Sequence, residues 1–216
     1  VTEGEMHLLV LGATRGIGAK VVDRALAEGH AVRGFARSVG DKPDRPGLIW
    51  VAGDATKAED LAPALEGVDA VIFAIGLGRD FKRFLSPTTL FSDATRALLP
   101  AMAGAGVRRL VAVTGFGAGD SARAMSFLER TGHRAILGRA YADKDRQEEM
   151  IRAADVDWTL VRPTILTDSA ATGRYKVLSD PATWRNGMIG RADVAAYCVR
   201  AAAEGLNVRE AVVLTR

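Results

Sequence analysis

The chain has 216 residues, of which 48% are apolar and 25% are charged, the balance of an ordinary folded globular domain. No apolar run approaches the ~18 residues that a membrane-spanning helix requires, and the start of the sequence lacks a signal-peptide pattern. We therefore expect a single domain over residues 1–216, located in the cytoplasm, with no membrane among its partners.

Charge and the rarer residue types exclude further classes of protein. The net charge of +3 is spread along the chain, without the dense basic cluster that is typical of nucleic-acid binding. Cys198 is the single cysteine, so an internal disulfide is excluded, and its helical surroundings predict a small core residue. His7, His30 and His133 lack metal-ligand spacing, and we predict no metal site.

The first elements of the chain form the most informative pattern. An apolar run over residues 6–11 predicts a buried strand, and an amphipathic stripe over residues 19–29 predicts a helix. Between them stands the sequence Gly12-Ala13-Thr14-Arg15-Gly16-Ile17-Gly18. Glycines let such a loop turn tightly and let a phosphate approach the backbone, while the N–H groups of the helix face the anion. We predict a dinucleotide site, with a plain surface turn as the alternative; its contacts would be Gly12, Thr14, Arg15, Gly16, Ile17 and Gly18.

The second predicted strand, residues 31–37, ends on Arg37. A fold that prefers NAD(H) usually has Asp or Glu at this point, where the carboxylate binds the ribose 2′-hydroxyl. An arginine instead suits a 2′-phosphate through charge-assisted hydrogen bonds, and Arg15 in the glycine loop could approach the same phosphate. We therefore expect NADP(H) to be preferred over NAD(H). The alternative for either arginine is a solvated surface charge.

The rest of the chain alternates strands and helices. Further strands are predicted at residues 48–53, 68–75, 108–114, 158–162, 174–178 and 211–214, and helices at residues 58–65, 87–105, 141–154 and 192–204. Pro100 predicts a kink or break in its helix. Residues 117–138 predict an irregular segment with helical pieces that could act as a lid. The alternation predicts an α/β fold: one doubly wound Rossmann-type domain with a mainly parallel sheet, helices on both faces, and small substrate-side elements after about residue 164.

Ligands of such folds lie outside the carboxyl ends of the strands, so the residues after each strand are candidate contacts. Asp54 and Ala55 are predicted to hold the adenine, with an N-cap of the next helix as the alternative for Asp54. The small residues after the fourth strand are predicted to contact the ribose, or else to form a plain turn: Ala74, Ile75 and Gly76. The ends of the fifth and sixth strands are predicted to line the nicotinamide, through Thr114, Pro163, Thr164 and Ile165. The alternative for Thr114 is a buried hydroxyl satisfied by backbone.

Several longer segments carry a family resemblance. They are the glycine loop, Arg37, Gly53-Asp54, Leu85-Ser86-Pro87-Thr88-Thr89, Gly106-Val107, Trp158-Thr159-Leu160-Val161-Arg162-Pro163 and Ile189-Gly190-Arg191-Ala192-Asp193-Val194-Ala195. Over residues 6–215 the sequence resembles the atypical short-chain dehydrogenases/reductases with an NmrA-like NAD(P)-binding domain, nearest to their biliverdin reductase B or flavin reductase branch. The resemblance implies a Rossmann fold and a nicotinamide cofactor, and it says far less about the substrate.

The sequence departs from that family at positions that carry chemistry. The tyrosine-dependent branch uses Ser with Tyr-x-x-x-Lys, whereas Tyr141 and Lys144 are three residues apart here and no serine follows Thr114. The flavin reductase branch has a serine and a histidine where this chain has Gly115 and Thr164. Biliverdin reduction by those side chains therefore does not transfer. Lys144 is still predicted to reach the ribose, as a basic residue does in some relatives.

Hydride transfer from NADPH to a flavin requires little beyond stacking of the two rings. The leading hypothesis is therefore an NADPH-dependent reductase of a flat small-molecule acceptor such as a flavin or quinone, acting as a monomer or homodimer. Thr114 and Lys144 are its candidate catalytic residues. The substrate candidates are Phe116 and Trp184, and Phe81 is a further one; core packing is the alternative for each aromatic residue. Two alternatives remain for the whole chain: an NADP(H)-binding redox sensor of NmrA type and an NAD-dependent epimerase/dehydratase-like protein.

Overall fold

The structure, a computed structural model, describes residues 4–40, 42–43, 45–78 and 88–216, without the side chains of residues 133–136. The predicted substrate residue Phe81 and the motif residues Leu85-Ser86-Pro87 lie outside this part of the chain. Across the described residues, no helix has both the length and the apolar character needed to cross a membrane.

Ten strands and five α-helices alternate along the described chain. The strands are β1 His7–Leu11, β2 Ala31–Ala36, β3 Leu48–Ala52, β4 Ala70–Phe73, β5 Arg109–Val113, β6 Asp157–Pro163, β7 Ile165–Thr167, β8 Lys176–Leu178, β9 Met188–Gly190 and β10 Glu210–Thr215. The helices are α1 Gly16–Ala27, α2 Ala58–Leu61, α3 Leu90–Gly104, α4 Phe127–Ala153 and α5 Arg191–Glu204. Short 3₁₀ turns span Pro63–Leu65, Gly119–Ala124 and Pro181–Thr183.

Eight of these strands form one sheet in the order β3-β2-β1-β4-β5-β6-β10-β8. Each neighbouring pair is parallel except β10 and β8, which are antiparallel. The chain runs outwards from β1 through β2 to β3 and then returns to the other side of β1 with β4. This reversal leaves a crevice at the carboxyl ends of β1 and β4, the point where doubly wound sheets bind their ligands. The predicted α/β class and mainly parallel sheet are therefore confirmed.

Helices cover both faces of the sheet because the strands are apolar on both sides. In β1, Leu9 and Leu11 pack with one buried cluster that includes residues of α3 and α4. Leu8 and Val10 pack with a second cluster that includes residues of α1 and α5. Alternate side chains of a strand point to opposite faces, so this continuous apolar run requires a helical layer on each side. Cys198 is buried in the second cluster, as predicted, and burial raises the pKa of its thiol to about 12.

Three features differ from the sequence predictions. The segment expected to be irregular up to residue 138 is helical from Phe127, because Ser126 and Glu129 form a capping box that starts α4 there. The prediction of a long irregular lid was therefore wrong for this half of the segment. The prediction also missed β7 and β9, a parallel pair of three residues each. At Pro100, α3 is continuous rather than broken.

Candidate cofactor and active site

A cleft of about 1090 Å³ lies at the carboxyl edge of the large sheet. It runs from the glycine loop after β1 to the ends of β5 and β6. Most of the predicted contacts line it: Gly12, Thr14, Arg15, Gly16, Ile17, Arg37, Asp54, Ala55, Ala74, Ile75, Gly76, Thr114, Lys144 and Pro163. Residues from six different strand ends and two helices thus meet in one space.

Five predicted contacts are not part of this lining: Gly18, Thr164, Ile165, Phe116 and Trp184. Thr164 is buried, and both its N–H and its hydroxyl donate to the carbonyl of Leu214. Ile165 is 58% exposed on β7. Phe116 and Trp184 form a separate buried cluster with Met125 and Val213. The structure therefore does not bring the two aromatic substrate candidates to the cleft.

The glycine loop is compact because two of its glycines leave no room for a side chain. At Gly12, where φ is +82°, a Cβ would lie 2.8 Å from the carbonyl oxygen of Ala74. A Cβ on Gly18 would lie 2.2 Å from the carbonyl oxygen of Gly12. The first contact joins the loop to the end of β4, and the second packs α1 against the loop itself. Gly18 is therefore a packing residue rather than the lining residue that the sequence analysis expects.

The N-terminus of α1 is open towards the cleft. Its N-cap residue, Arg15, makes no side-chain capping bond, and the first turn contains no acidic residue. Gly16 lines the cleft with φ of +60°, and a Cβ there would have no atom within 4 Å. Unpaired N–H groups and the positive end of the helix dipole favour an anion at such a point. The loop therefore leaves an uncapped helix N-terminus and open space at the wall of the cleft.

Asp54 closes a turn of its own rather than capping a helix. Its Oδ1 accepts from the N–H of Thr56 at 3.0 Å and from the Thr56 hydroxyl at 2.8 Å, whereas the N-cap of α2 is Lys57. These two hydrogen bonds from Thr56 lower the pKa of Asp54, and the charges of Lys57 and Arg37 lower it further. The N-cap alternative was therefore wrong. Asp54 presents a carboxylate at the cleft, beside the exposed Arg37.

The two arginines predicted to hold a 2′-phosphate lie in different surroundings. Arg37 is exposed at the end of β2 and lines the cleft. Arg15 is also exposed, but its guanidinium lies against Gly78, where a Cβ would be 3.2 Å from Cζ. Gly78 follows β4, which lies on the opposite side of β1 from β2. In this conformation Arg15 therefore points away from the β2 side of the crevice.

Lys144 and Tyr141, three residues apart on α4, both line the far end of the cleft. The Lys144 ammonium donates to the main-chain oxygen of Thr114 and lies 4.4 Å from the ring centroid of Phe91. Desolvation lowers the pKa of Lys144 to about 8, although Glu148 and Asp143 oppose this shift. Desolvation also raises the pKa of Tyr141 to about 12, with further rises from Asp145 and Glu148. A tyrosine with a raised pKa holds its proton firmly, unlike the activated tyrosine of a Tyr-x-x-x-Lys site.

Sequence reasoning missed the buried ion pair behind Thr114. Glu148 Oε1 accepts from the Thr114 hydroxyl at 2.7 Å, and the same carboxylate pairs with the fully buried Arg162. The alternative in which backbone satisfies the Thr114 hydroxyl was therefore wrong. An acidic residue one turn after Lys144 was the available signal, because i and i+4 lie on the same face of a helix.

The comparisons with known proteins agree with this site. The sequence model of a family described as NAD(P)H-binding matches residues 12–205. The chain belongs to this family. Its fold is similar to that of ChuY of Escherichia coli O157:H7, described as an anaerobillin reductase. The TM-score is 0.79 with 26% identity, and the match covers 97% of this chain and 96% of ChuY.

Two further comparisons extend this result. A short-chain dehydrogenase/reductase of Veillonella parvula DSM 2008, solved in complex with NADP, has a TM-score of 0.81 at 16% identity, over 98% of this chain and 94% of that one. Its likeness supports the fold alone. A 3-beta-hydroxysteroid dehydrogenase of Mycolicibacterium neoaurum is 40% identical over 65 residues. That match spans 30% of this chain and only 18% of the dehydrogenase.

Proposed function

We propose that the protein is an NADPH-dependent reductase that transfers hydride to a flat, conjugated small-molecule acceptor. The observation that carries the proposal is the cleft itself, which joins a phosphate-binding loop to the Thr114–Lys144 end through one continuous space. A cleft that extends continuously between these two points suits a dinucleotide lying across the carboxyl ends of the strands, with its diphosphate at α1 and its nicotinamide beyond β5. The balance is NADPH, acceptor and one proton giving NADP⁺ and the reduced acceptor.

The charge of the cleft supports a polyanionic cofactor. Among the described residues that line it, the basic ones are Arg15, Lys20, Arg37, Lys144 and Arg191, and the acidic ones are Asp54 and Asp168. Arg191 and Asp168 form an ion pair at 2.8 Å and so offset each other. The remaining excess of positive charge favours the phosphates of a nicotinamide dinucleotide, and an additional 2′-phosphate above all.

Arg37 is the residue that we assign to the 2′-phosphate. Arg37→Asp should raise the Kd for NADPH at least tenfold more than that for NADH. The substitution removes a charge-assisted hydrogen bond to the 2′-phosphate, which contributes about 1.5–3 kcal/mol, and puts a repelling carboxylate in its place. Titration calorimetry with both cofactors measures this ratio. Arg146→Asp makes the same charge reversal at an exposed position outside the cleft lining, and it should change both Kd values equally. Equal losses of NADPH and NADH affinity in Arg37→Asp would contradict the assignment.

Lys144 is the residue that we assign to the nicotinamide ribose. Its ammonium is cationic below pH 8 and becomes neutral as the pH rises through its lowered pKa of about 8. The affinity of the wild-type protein for NADP⁺ should therefore be highest near pH 7, where the 2′-phosphate is largely doubly ionised, and fall as the pH rises past 8. Lys144→Met should bind NADP⁺ weakly, and its affinity should not fall as the pH rises past 8. Lys144→Arg stays cationic, so its affinity should not show the alkaline fall either. An alkaline fall that persists in Lys144→Met would assign the titration to another group.

The acceptor is proposed to be flat because a ring stacked on the nicotinamide needs only contact and orientation from the protein. ChuY's description as an anaerobillin reductase supports an extended conjugated acceptor for this chain as well. The raised pKa of Tyr141 argues against the tyrosine acid that reduction of an ordinary ketone requires.

The direct test mixes the purified protein with NADPH and a panel of flavins, quinones and anaerobillin, and follows the absorbance of the reduced nicotinamide. Consumption of NADPH that depends on the acceptor supports the proposal. Tight NADPH binding without consumption across the panel would contradict it and favour the redox sensor. A Thr114→Val, Lys144→Met double variant serves as the control for uncatalysed transfer.

A further inference from the structure

A buried ion pair stands directly behind the far end of the cleft. Arg162, on β6, is fully buried, and its Nε donates to Glu148 Oε1 at 3.0 Å while its Nη2 donates to Oε2. The half-exposed Asp120 also accepts from this Nη2, and its Oδ1 lies 2.6 Å from it. The Arg162 guanidinium also lies 5.0 Å from the centroid of the Trp184 ring. The carboxylate of Glu148 is thus held in one orientation by a planar donor that matches it.

This orientation decides the polarity of Thr114. An ionised carboxylate only accepts hydrogen bonds, so the 2.7 Å contact between Thr114 Oγ1 and Glu148 Oε1 commits the hydroxyl proton to Glu148. A free threonine hydroxyl is able to donate or accept. Here Thr114 retains only its lone pairs for a ligand in the cleft, whose wall it lines.

The neighbouring group has the opposite character. Lys144 carries N–H donors and accepts nothing, and one of these donors binds the main-chain oxygen of Thr114. Lys144 therefore offers a donor and Thr114 an acceptor, and both residues line the same end of the cleft. The site is complementary to a ligand that presents an acceptor and an N–H group at matching positions.

We propose that Glu148, oriented by Arg162, fixes Thr114 as a hydrogen-bond acceptor that selects for an N–H group in the cleft. This inference rests on the proposed function and deepens it. The N–H group belongs either to the carboxamide of the nicotinamide or to a ring of the acceptor molecule, such as the imide of a flavin. Glu148 is a positioning residue, because it acts through Thr114 and is not itself part of the lining.

The first arm of the test measures binding to the protein alone. It compares NADP⁺ with an analogue in which an acetyl group replaces the carboxamide, so that a methyl group takes the place of NH₂. Loss of one hydrogen bond predicts that the wild-type protein prefers NADP⁺ by roughly three- to tenfold. Thr114→Val should bring this preference close to one, and Thr114→Ser should retain it. Glu148→Gln should reduce this preference without abolishing it, because the neutral amide no longer holds the Thr114 hydroxyl proton in one direction and the hydroxyl presents its lone pairs to the ligand only part of the time.

Asp120→Asn is the matched control within the same network. It removes the charge of Asp120, another partner of Arg162 that has no recorded contact with Thr114. The preference for NADP⁺ over the acetyl analogue should therefore persist. Thermal melting checks that each variant is folded. If Glu148→Gln does not fold, the comparison of Thr114→Val with Thr114→Ser still decides the question.

The second arm separates the two sources of the N–H group. It compares kcat/KM for a flavin, which has an imide N–H, with that for a quinone, which has none. A preference for NADP⁺ that Thr114→Val abolishes and Thr114→Ser retains assigns Thr114 to the carboxamide, and a preference that persists in Thr114→Val overturns that assignment. If that preference is absent, but Thr114→Val lowers kcat/KM three- to tenfold more for the flavin than for the quinone, the acceptor supplies the N–H group. If neither arm shows an effect of Thr114→Val, the inference is overturned and the proposed function still stands. If the protein binds no nicotinamide nucleotide at all, both are overturned.

Discussion

Gly18→Ala is expected to lower the free energy of unfolding by about 3 kcal/mol, the upper part of the usual range for a forced clash. The added Cβ would lie 2.2 Å from the carbonyl oxygen of Gly12, a backbone atom that cannot rotate aside. For a chain of this length, such a loss corresponds to a fall of roughly 6–12 °C in Tm. NADP⁺ affinity should fall as well, because the loop and the N-terminus of α1 must separate to make room.

Gly16→Ala separates the binding role of the loop from its packing role. Gly16 has a φ of +60° and open space around it, so alanine should cost only about 1–2 kcal/mol of stability through backbone strain. Its methyl group would, however, occupy the surface that we assign to the diphosphate, and NADP⁺ affinity should fall at least tenfold. Calorimetry and thermal melting on the same samples distinguish the two effects.

Gly29→Ala is the matched control for this pair. Gly29 follows the other end of α1 with a φ of +82°, and it also has no atom within 4 Å of a Cβ. It should show a strain cost similar to that of Gly16→Ala and unchanged cofactor affinity. If Gly16→Ala and Gly29→Ala bind NADP⁺ equally well, the phosphate does not sit on this loop.

Most of the cleft lining was predictable from the sequence because its parts are local. The glycine loop, the strand before it and the helix after it lie within one short segment, and each later strand end contributes one to three of the predicted residues. Alternation of strand and helix then fixes which ends share an edge of the sheet. The sequence alone therefore predicts that Asp54, Ala74 and Thr114 share one cleft, and the structure places all three in its lining.

The parts that sequence reasoning missed depend on contacts between distant segments. Thr114, Glu148 and Arg162 come from β5, α4 and β6, and nothing in their local patterns pairs them. The Ser126–Glu129 capping box, by contrast, was a local signal that predicts the start of α4, and the glycine and arginine content around it obscured it. Strands as short as β7 and β9 carry too few residues for an alternating pattern to stand out.

The aromatic substrate candidates illustrate a different limit. Phe116 comes shortly after β5, and Trp184 comes shortly before β9. These positions in the chain are the reason that the sequence predicts both as cleft residues. In the structure they pack together, and Trp184 donates its indole N–H to the carbonyl of Leu178 while its ring faces Arg162. Proximity to a strand end determines where the backbone of a residue lies, but tertiary packing decides in which direction its side chain points.

Asp143→Ala is expected to lower the free energy of unfolding by about 3 kcal/mol, or roughly 6–12 °C in Tm. Asp143 is buried on α4, yet its Oδ2 accepts from the N–H of Phe91 at 2.8 Å and from that of Ser92 at 3.4 Å. Its Oδ1 accepts from the Ser92 hydroxyl. A carboxylate from another helix thus caps the N-terminus of α3, whose own N-cap residue makes no side-chain capping bond.

The control for Asp143→Ala lies on the capped helix itself. Asp93 is a partly buried acidic residue in the first turn of α3, where its carboxylate is hydrogen-bonded by the Thr89 side chain and pairs with Arg96, and Asp93→Ala should lower the stability by less than about 1 kcal/mol. Asp143→Asn, which keeps one acceptor oxygen, should recover part of the lost stability. A further readout connects the cap to the cleft: Phe91 supports the Lys144 ammonium, so Asp143→Ala should weaken NADP⁺ binding even below its new Tm. Equal stability losses for Asp143→Ala and Asp93→Ala would show that the buried cap adds nothing beyond surface charge.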